Sequence, residues 1–116
     1  MTDAKPTIWV YDLPSVEGGG WGTFILRSDG YFSCVTDYGN YAFRWLHHGE
    51  DDFRAFWLKD RWNFPSYVVS KLTSQGYTMT ARTREAAERQ CTMFCKAMLP
   101  RLADDIKTEI AKEAAS

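Results

Sequence analysis

An Asp-Gly pair between two runs of β-forming residues constrains the fold of this 116-residue chain more than any other feature. Asp29-Gly30 lies between WGTFILRS and YFSCVT, and Asp-Gly favours the type I′ turn, whose twist matches that of paired strands. A two-residue loop here places Phe24 opposite Val35. The sequence therefore predicts an antiparallel hairpin near its centre.

A second pair of turn residues follows the next β-forming run. Gly39-Asn40 predicts another tight turn, because both residue types tolerate positive φ. This turn places Trp45 opposite Cys34 and extends the hairpin into a meander. The run IWVYD, bracketed by prolines, adds a fourth strand. The predicted strands are residues 8–12, 21–28, 31–37 and 41–46.

Alternation along these strands sorts the side chains onto two faces of the sheet. One predicted face carries Ile25, Phe32, Cys34, Phe43 and Trp45. The other carries Phe24, Leu26, Tyr31, Val35, Ala42, Arg44 and Leu46. Neither set is purely polar, so the sheet is either covered on both faces, or covered on one face and used for binding on the other.

The period of the apolar residues changes after the sheet. Phe53, Phe56 and Trp57 repeat at helical spacing behind three carboxylates that suit a helix N-terminus, which predicts a helix ending between 59 and 62. A second short helix is predicted over 66–72, with Tyr67 among its apolar residues. The segment TSQGYTMT then turns and is compatible with a short strand.

A long helix is predicted from Thr83, a suitable N-cap, because apolar residues recur three and four positions apart from there onwards. Pro100 interrupts this pattern and predicts a kink or a break near Leu99. The predicted fold is therefore α+β. It comprises a three- to four-stranded antiparallel meander, two short helices, and a long C-terminal helix packed on the sheet.

Length and charge limit the organisation and the partners. A chain of this length fits one domain, residues 1–116, in which 1–5 and 112–116 are expected to be flexible. With a net charge of −1, we expect no general electrostatic attraction to nucleic acid. The charge is uneven: residues 1–58 hold four Lys/Arg and eight Asp/Glu, hence −4, while residues 59–116 hold ten and seven, hence +3.

The compartment follows from cysteine usage and the absence of targeting signals. Cys34, Cys91 and Cys95 are an odd number without the spacing of a disulfide framework. The sequence contains no signal-peptide pattern and no apolar run of membrane-spanning length. These features predict a cytoplasmic protein with reduced thiols and no membrane association.

No catalytic, cofactor or metal motif emerges from the spacing of reactive residues. Cys91 and Cys95 could hold one side of a zinc ion, but His47-His48 are too close together to supply the other. Cys34 and His47 are a candidate nucleophile and base without an activating helix N-terminus or glycine-rich turn. We therefore expect a non-enzymatic protein that needs no cofactor.

Basic and aromatic residues leave a second function open. Arg44 is flanked by Phe43 and Trp45, an arrangement that could stack nucleic-acid bases. Arg82 and Arg84 add positive charge at the start of the last helix. A small nucleic-acid-binding phage regulator is therefore the alternative to a protein-binding role, although the acidic first half of the chain opposes a polyanion.

The stretch RSDGYFSCVTDYGNYAFRW, together with EDDFRAFWLK and SYVVSKL, resembles a type of small protein from phages and prophages. The shared elements are S-D-G-Y-F, S/T-D-Y-G-N-Y, D-F-R and K-L, within residues 27–72. The resemblance implies a phage accessory gene product. In size and composition the chain is also similar to many anti-CRISPR proteins, which occupy a surface on an effector complex or its nuclease.

That resemblance implies an inhibitor of bacterial defence that acts in the host cytoplasm by binding a CRISPR-associated protein. The expected target is a type I surveillance complex or the nuclease-helicase that it recruits. The expected contacts are Glu50, Asp51 and Asp52, which would meet Lys or Arg of the partner, together with Arg44 and Trp62. Trp57 has the helical spacing of a core residue instead.

Overall fold

The computed structural model describes residues 5–74 and 83–116, so Arg82 and most of the TSQGYTMT segment lie outside the described residues. Within these ranges the chain is α+β, as predicted. The elements in chain order are β1 (Ile8–Val16), β2 (Gly20–Arg27), β3 (Tyr31–Thr36), β4 (Gly39–Arg44), a 3₁₀ helix (Phe53–Leu58), α1 (Ser66–Leu72) and α2 (Arg84–Ala115). The expected flexibility of 112–116 stays a prediction.

The four strands form one antiparallel sheet in the order β1-β2-β3-β4, which confirms the meander and its fourth strand. The helices cover one face of this sheet and enclose a single core with it. The largest fully buried side chains are Trp57, Phe24, Phe32, Phe53 and Phe94. The assignment of Trp57 to the core is therefore confirmed.

The register of the first hairpin differs from the prediction by one residue. Phe24 pairs with Cys34, not with Val35, because the loop contains three residues instead of two. Gly30 N donates to Arg27 O at 2.9 Å, and Gly30 adopts φ 92°, which closes a type I turn with a glycine bulge. A one-residue shift exchanges the faces of a strand, so Phe24 and Leu26 join the buried face and Ile25 leaves it.

The second turn also lies elsewhere than predicted. Thr36 pairs with Gly39, so Asp37 and Tyr38 form the loop and Asn40 already belongs to β4. The Thr36 hydroxyl fixes this loop: it accepts from Tyr38 N at 3.0 Å and donates to Gly39 O at 2.7 Å. The observed β3–β4 pairing differs from the predicted one by an even number of residues. The aromatic residues of β3 and β4 therefore lie on a common face, as predicted.

The short helices follow the prediction with two differences. The first is a 3₁₀ helix that ends at Leu58, short of the predicted 59–62, and the Asp52 side chain caps it by accepting from Arg54 N at 2.9 Å. The second, α1, has the predicted bounds. Its buried residues are Val68, Val69 and Leu72, whereas Tyr67, which we expected on this face, is 46% exposed.

Helix α2 begins after Thr83, whose hydroxyl accepts from Ala86 N at 3.1 Å as predicted for an N-cap. The predicted apolar stripe faces the core. A kink or a break was expected near Leu99; Pro100 lies inside a continuous helix, so the break does not occur. Leu99 and Leu102, both buried, hold the helix against the sheet on either side of the proline, and this packing outweighs the lost hydrogen bond.

Two arginines fasten α2 to the rest of the fold. Arg101 donates to the carbonyls of Pro14, Gly19 and Gly20 at 2.7–2.9 Å, which ties the middle of α2 to the turn end of the β1–β2 hairpin. Arg54, only 5% exposed, forms ion pairs with Asp52, Glu109 and Glu113 at 2.8–2.9 Å. This second cluster ties the end of α2 to the 3₁₀ helix.

Candidate functional site: the open face of the sheet

The sheet has one covered face and one that no described helix covers. We call the second the open face. Its side chains alternate with those of the core along all four strands, and each one is exposed or half-buried. It comprises Ile8, Val10, Asp12, Trp21, Thr23, Ile25, Arg27, Tyr31, Ser33, Val35, Asn40, Ala42 and Arg44.

Large apolar side chains are concentrated on the open face. Ile8 is 59%, Val10 54%, Val35 51% and Trp21 41% exposed. The middle row of the open face crosses all four strands. It consists of Val10, Ile25, Ser33 and Ala42, and it carries no charge. The centre of the open face is therefore an apolar surface of the kind that favours contact with another macromolecule.

One end of the open face carries a hydrogen-bonded group of charges. Asp29 accepts from Arg27 Nε at 3.1 Å and Nη2 at 2.5 Å, and from Arg44 Nη2 at 3.2 Å. The hydrogen bond from Arg27 lowers the pKa of the Asp29 carboxyl. The Arg27 guanidinium also lies 5.4 Å from the centre of the Tyr31 ring. This end has two cations and one anion.

The opposite end of the open face is acidic. Asp12 accepts from the Thr23 hydroxyl at 2.7 Å, and Asp37, at the β3–β4 loop, accepts from Trp21 N at 3.2 Å. Among the described residues neither carboxylate forms an ion pair. The open face is therefore dipolar, with its positive end at Arg44 and its negative end at Asp12.

The structure separates the partner-binding residues that were predicted from the sequence. Arg44 lies on the open face and is exposed, so the β4 strand presents it to solvent and not to a helix. Glu50 is hydrogen-bonded by Lys59, and Asp52 is held by Arg54. Asp51 is exposed in the loop that precedes the 3₁₀ helix.

Trp62 lies apart from the open face as well. It is half-buried and packs against the core.

Arg82 of the nucleic-acid alternative lies outside the described residues, and the others do not form one surface. Phe43 and Trp45 point to the covered face, away from Arg44. Arg84 begins α2 and is paired with Glu88, at 3.1 Å. Of the aromatic residues of the motif, only Tyr31 shares the open face with Arg44.

The reactive residues considered earlier lie in the core or far apart. Cys34, Cys91 and Cys95 are all buried free thiols, and burial raises the pKa of the Cys34 thiol, which disfavours a nucleophilic thiolate. Its supposed partner, His47, is exposed beyond the end of β4. In residues 5–74 and 83–116, no group of three or more His, Cys, Asp or Glu is arranged to hold a metal ion.

Comparison with known proteins places the chain. The model of Phage_phiTE_072, described as a phage family, matches residues 1–114. The chain belongs to this phage family. No curated protein and no solved structure matches the phage protein.

Within its described parts, the phage protein has no helix long and apolar enough to cross a membrane. The sequence patterns missed the apolar centre of the open face, because the one-residue register error placed Ile25 on the same face as Phe32 and Cys34. The exposed residues of β1 were a usable signal: Ile8 and Val10 alternate with Trp9 and Tyr11, the latter of which is buried.

Proposed function

We propose that this phage protein is a non-enzymatic inhibitor of bacterial defence that binds a host protein through the open face of its sheet. The observation that carries the proposal is the set of four exposed large apolar side chains on that one face: Ile8, Val10, Trp21 and Val35. Antiparallel sheets with one solvated face usually present alternating polar residues there. An apolar centre between two charged ends instead has the composition of a protein-binding surface.

The charges of the open face favour a protein over a nucleic acid as the partner. A nucleic-acid strand needs a run of cations, with aromatic rings along it for stacking. Here Asp29 offsets one of the two positive charges of Arg27 and Arg44, and the opposite end carries carboxylates. A protein surface can match both ends, with an acidic group against Arg44 and a basic group against Asp12.

We propose a CRISPR effector as the target, either a type I surveillance complex or the nuclease-helicase that it recruits, in the cytoplasm of the bacterial host. Membership of a phage family supports a role in infection, and the resemblance to small anti-CRISPR proteins supports steric occlusion as the mode of action. Glu50, Asp51, Asp52 and Trp62 are proposed as contacts outside the open face. Asp51 is the best placed of the acidic residues, because its side chain is exposed.

Binding of the purified protein to purified surveillance complex and nuclease-helicase tests this proposal. We expect one of them to form a complex that Val10→Lys/Val35→Lys weakens at least about tenfold, since two charges would be placed in an apolar contact. Met93→Lys/Ala111→Lys is the matched control, because both residues are exposed positions of α2, which packs on the covered face. Absence of binding to every subunit would rule out the CRISPR target, and retardation of DNA or RNA in a gel at low salt would favour the nucleic-acid alternative.

A further inference from the structure

A cationic surface surrounds Tyr67, on the helical side of the sheet. The Arg61 guanidinium lies 5.8 Å and the Lys71 ammonium 5.6 Å from the centre of the Tyr67 ring. Lys71 also lies 5.8 Å from the centre of the Phe43 ring. Two cations therefore lie near the ring of one half-exposed tyrosine.

Neither cation has a carboxylate partner among the described residues. Glu50, which acts electrostatically on Arg61, is hydrogen-bonded by Lys59. The segment that follows α1, residues 75–82, has the sequence QGYTMTAR and so contains no carboxylate that could neutralise Lys71. Within residues 5–74 and 83–116, these two positive charges therefore have no direct ion-pair partner.

The surface offers hydrogen-bond donors in fixed positions. Arg61 Nε donates to Phe56 O at 3.0 Å, and its guanidinium lies 3.7 Å from the centre of the Phe56 ring, which holds the side chain in place. The Tyr67 oxygen accepts from Trp45 Nε1 at 3.0 Å, so its own O–H points elsewhere and is a donor. Free hydrogen-bond donors beside positive charge are matched by an oxyanion.

We propose that Arg61, Tyr67 and Lys71 bind carboxylate side chains of an acidic segment of a protein partner. Phe64, three positions before Tyr67 in the sequence, is 77% exposed. Asp60 and Glu50 beside the surface disfavour a continuous polyanion such as a nucleic-acid strand. The site lies apart from the open face and does not depend on the proposed function.

Titration of ¹⁵N-labelled protein with the peptide Ac-EEFEE-NH₂ tests the site. The Trp45 indole N–H, hydrogen-bonded to Tyr67, is the reporter. We expect its signal to shift and saturate at peptide concentrations up to about 1 mM, and the shift to vanish in about 0.5 M NaCl. Lys71→Gln should weaken binding roughly threefold, since Lys71 contributes to affinity through its positive charge. Lys71→Arg keeps the charge and should bind as tightly as the wild type.

Lys107→Gln/Lys112→Gln is the control, because it removes two exposed charges from α2 away from Tyr67. An unmoved Trp45 signal would overturn the proposal. So would an equal loss of affinity in the control, which would mean that only net charge matters. Displacement of the peptide by a dT oligonucleotide at lower concentration would also overturn it and would identify a phosphate site instead.

Discussion

Arg54 Nη1 lies 2.8 Å from Glu109 Oε1, which joins the 3₁₀ helix to the last turns of α2 across 55 positions of sequence. The same guanidinium binds Asp52 and Glu113, and it lies 4.7 Å from the centre of the Trp9 ring in β1. The Tyr11 hydroxyl donates to the same Glu109 oxygen at 2.5 Å. One buried cation thus connects the strand at one edge of the sheet, the 3₁₀ helix and α2.

Replacement of this cation should destabilise the protein. Arg54→Gln should lower the free energy of unfolding by about 2 kcal/mol, less than for a fully buried pair because the three carboxylates are partly exposed and regain water. Urea denaturation measures this. Arg84→Gln, which breaks an exposed pair with Glu88, should cost less than about 0.5 kcal/mol. Equal losses in the two variants would show that the Arg54 cluster has no special role.

The Arg54 cluster should also set the stability of the protein in acid. Hydrogen bonds from Arg54 lower the pKa of the Asp52 and Glu113 carboxyls below their unfolded values of about 4. The unfolded chain then binds more protons than the folded one, so this stabilisation is present above about pH 5 and is lost as the pH falls towards 3. Wild-type stability should therefore fall more steeply over this range than that of Arg54→Gln. Identical slopes would contradict the assignment.

The three-residue turn between β2 and β3 should not tolerate a side chain on its glycine. A Cβ on Gly30 would lie 2.0 Å from Trp45 O, a backbone atom, and φ is +92°. Gly30→Ala should cost more than about 2 kcal/mol in a thermal or urea melt. Gly49→Ala is the matched control, because Gly49 also has positive φ but has open space around it, and it should cost about 1 kcal/mol. Similar costs would mean that the contact with Trp45 O is not limiting.

The β2–β3 and β3–β4 turns show how much of a sheet local sequence predicts. Asp-Gly is compatible with a two-residue or a three-residue loop, and the choice depends on packing that local propensity does not contain. Gly30 donates to Arg27 O and accepts from Trp45 N at 2.8 Å, a contact with the far end of β4. The number, order and type of strands were therefore predictable, whereas the register and hence the membership of each face were not.

The same limit applies to the helices and to the candidate site. Helical spacing identified α2 and its apolar stripe, but the effect of Pro100 depended on how firmly the flanking leucines pack. The acidic residues before the 3₁₀ helix looked like a free surface for a partner. Asp52 instead has its partner two residues away, because Arg54 turns inward to reach α2. Glu109 and Glu113, four apart, were a readable sign of one acidic helix face.

The three thiols should be protected in the folded protein. Cys91 and Cys95 are fully buried. The pKa of the Cys95 thiol is raised, mainly by its hydrogen bond with Cys91 and also by burial. We expect a thiol reagent such as DTNB to label none of the three cysteines quickly in the folded state and all of them in denaturant. Ser116→Cys should add one fast-reacting thiol as a control. A fast-reacting thiol in the unmodified protein would contradict the buried position of all three.

We propose that this phage protein protects infecting phage by binding a defence protein through the open face. The most direct test is phage plaquing on a host whose type I CRISPR system targets that phage, with the protein supplied from a plasmid. We predict that the wild-type protein and Met93→Lys/Ala111→Lys restore plaquing, and that Val10→Lys/Val35→Lys, expressed and folded equally well, does not. No restoration by the wild-type protein, or equal protection by the Val10→Lys/Val35→Lys variant, would contradict the claim.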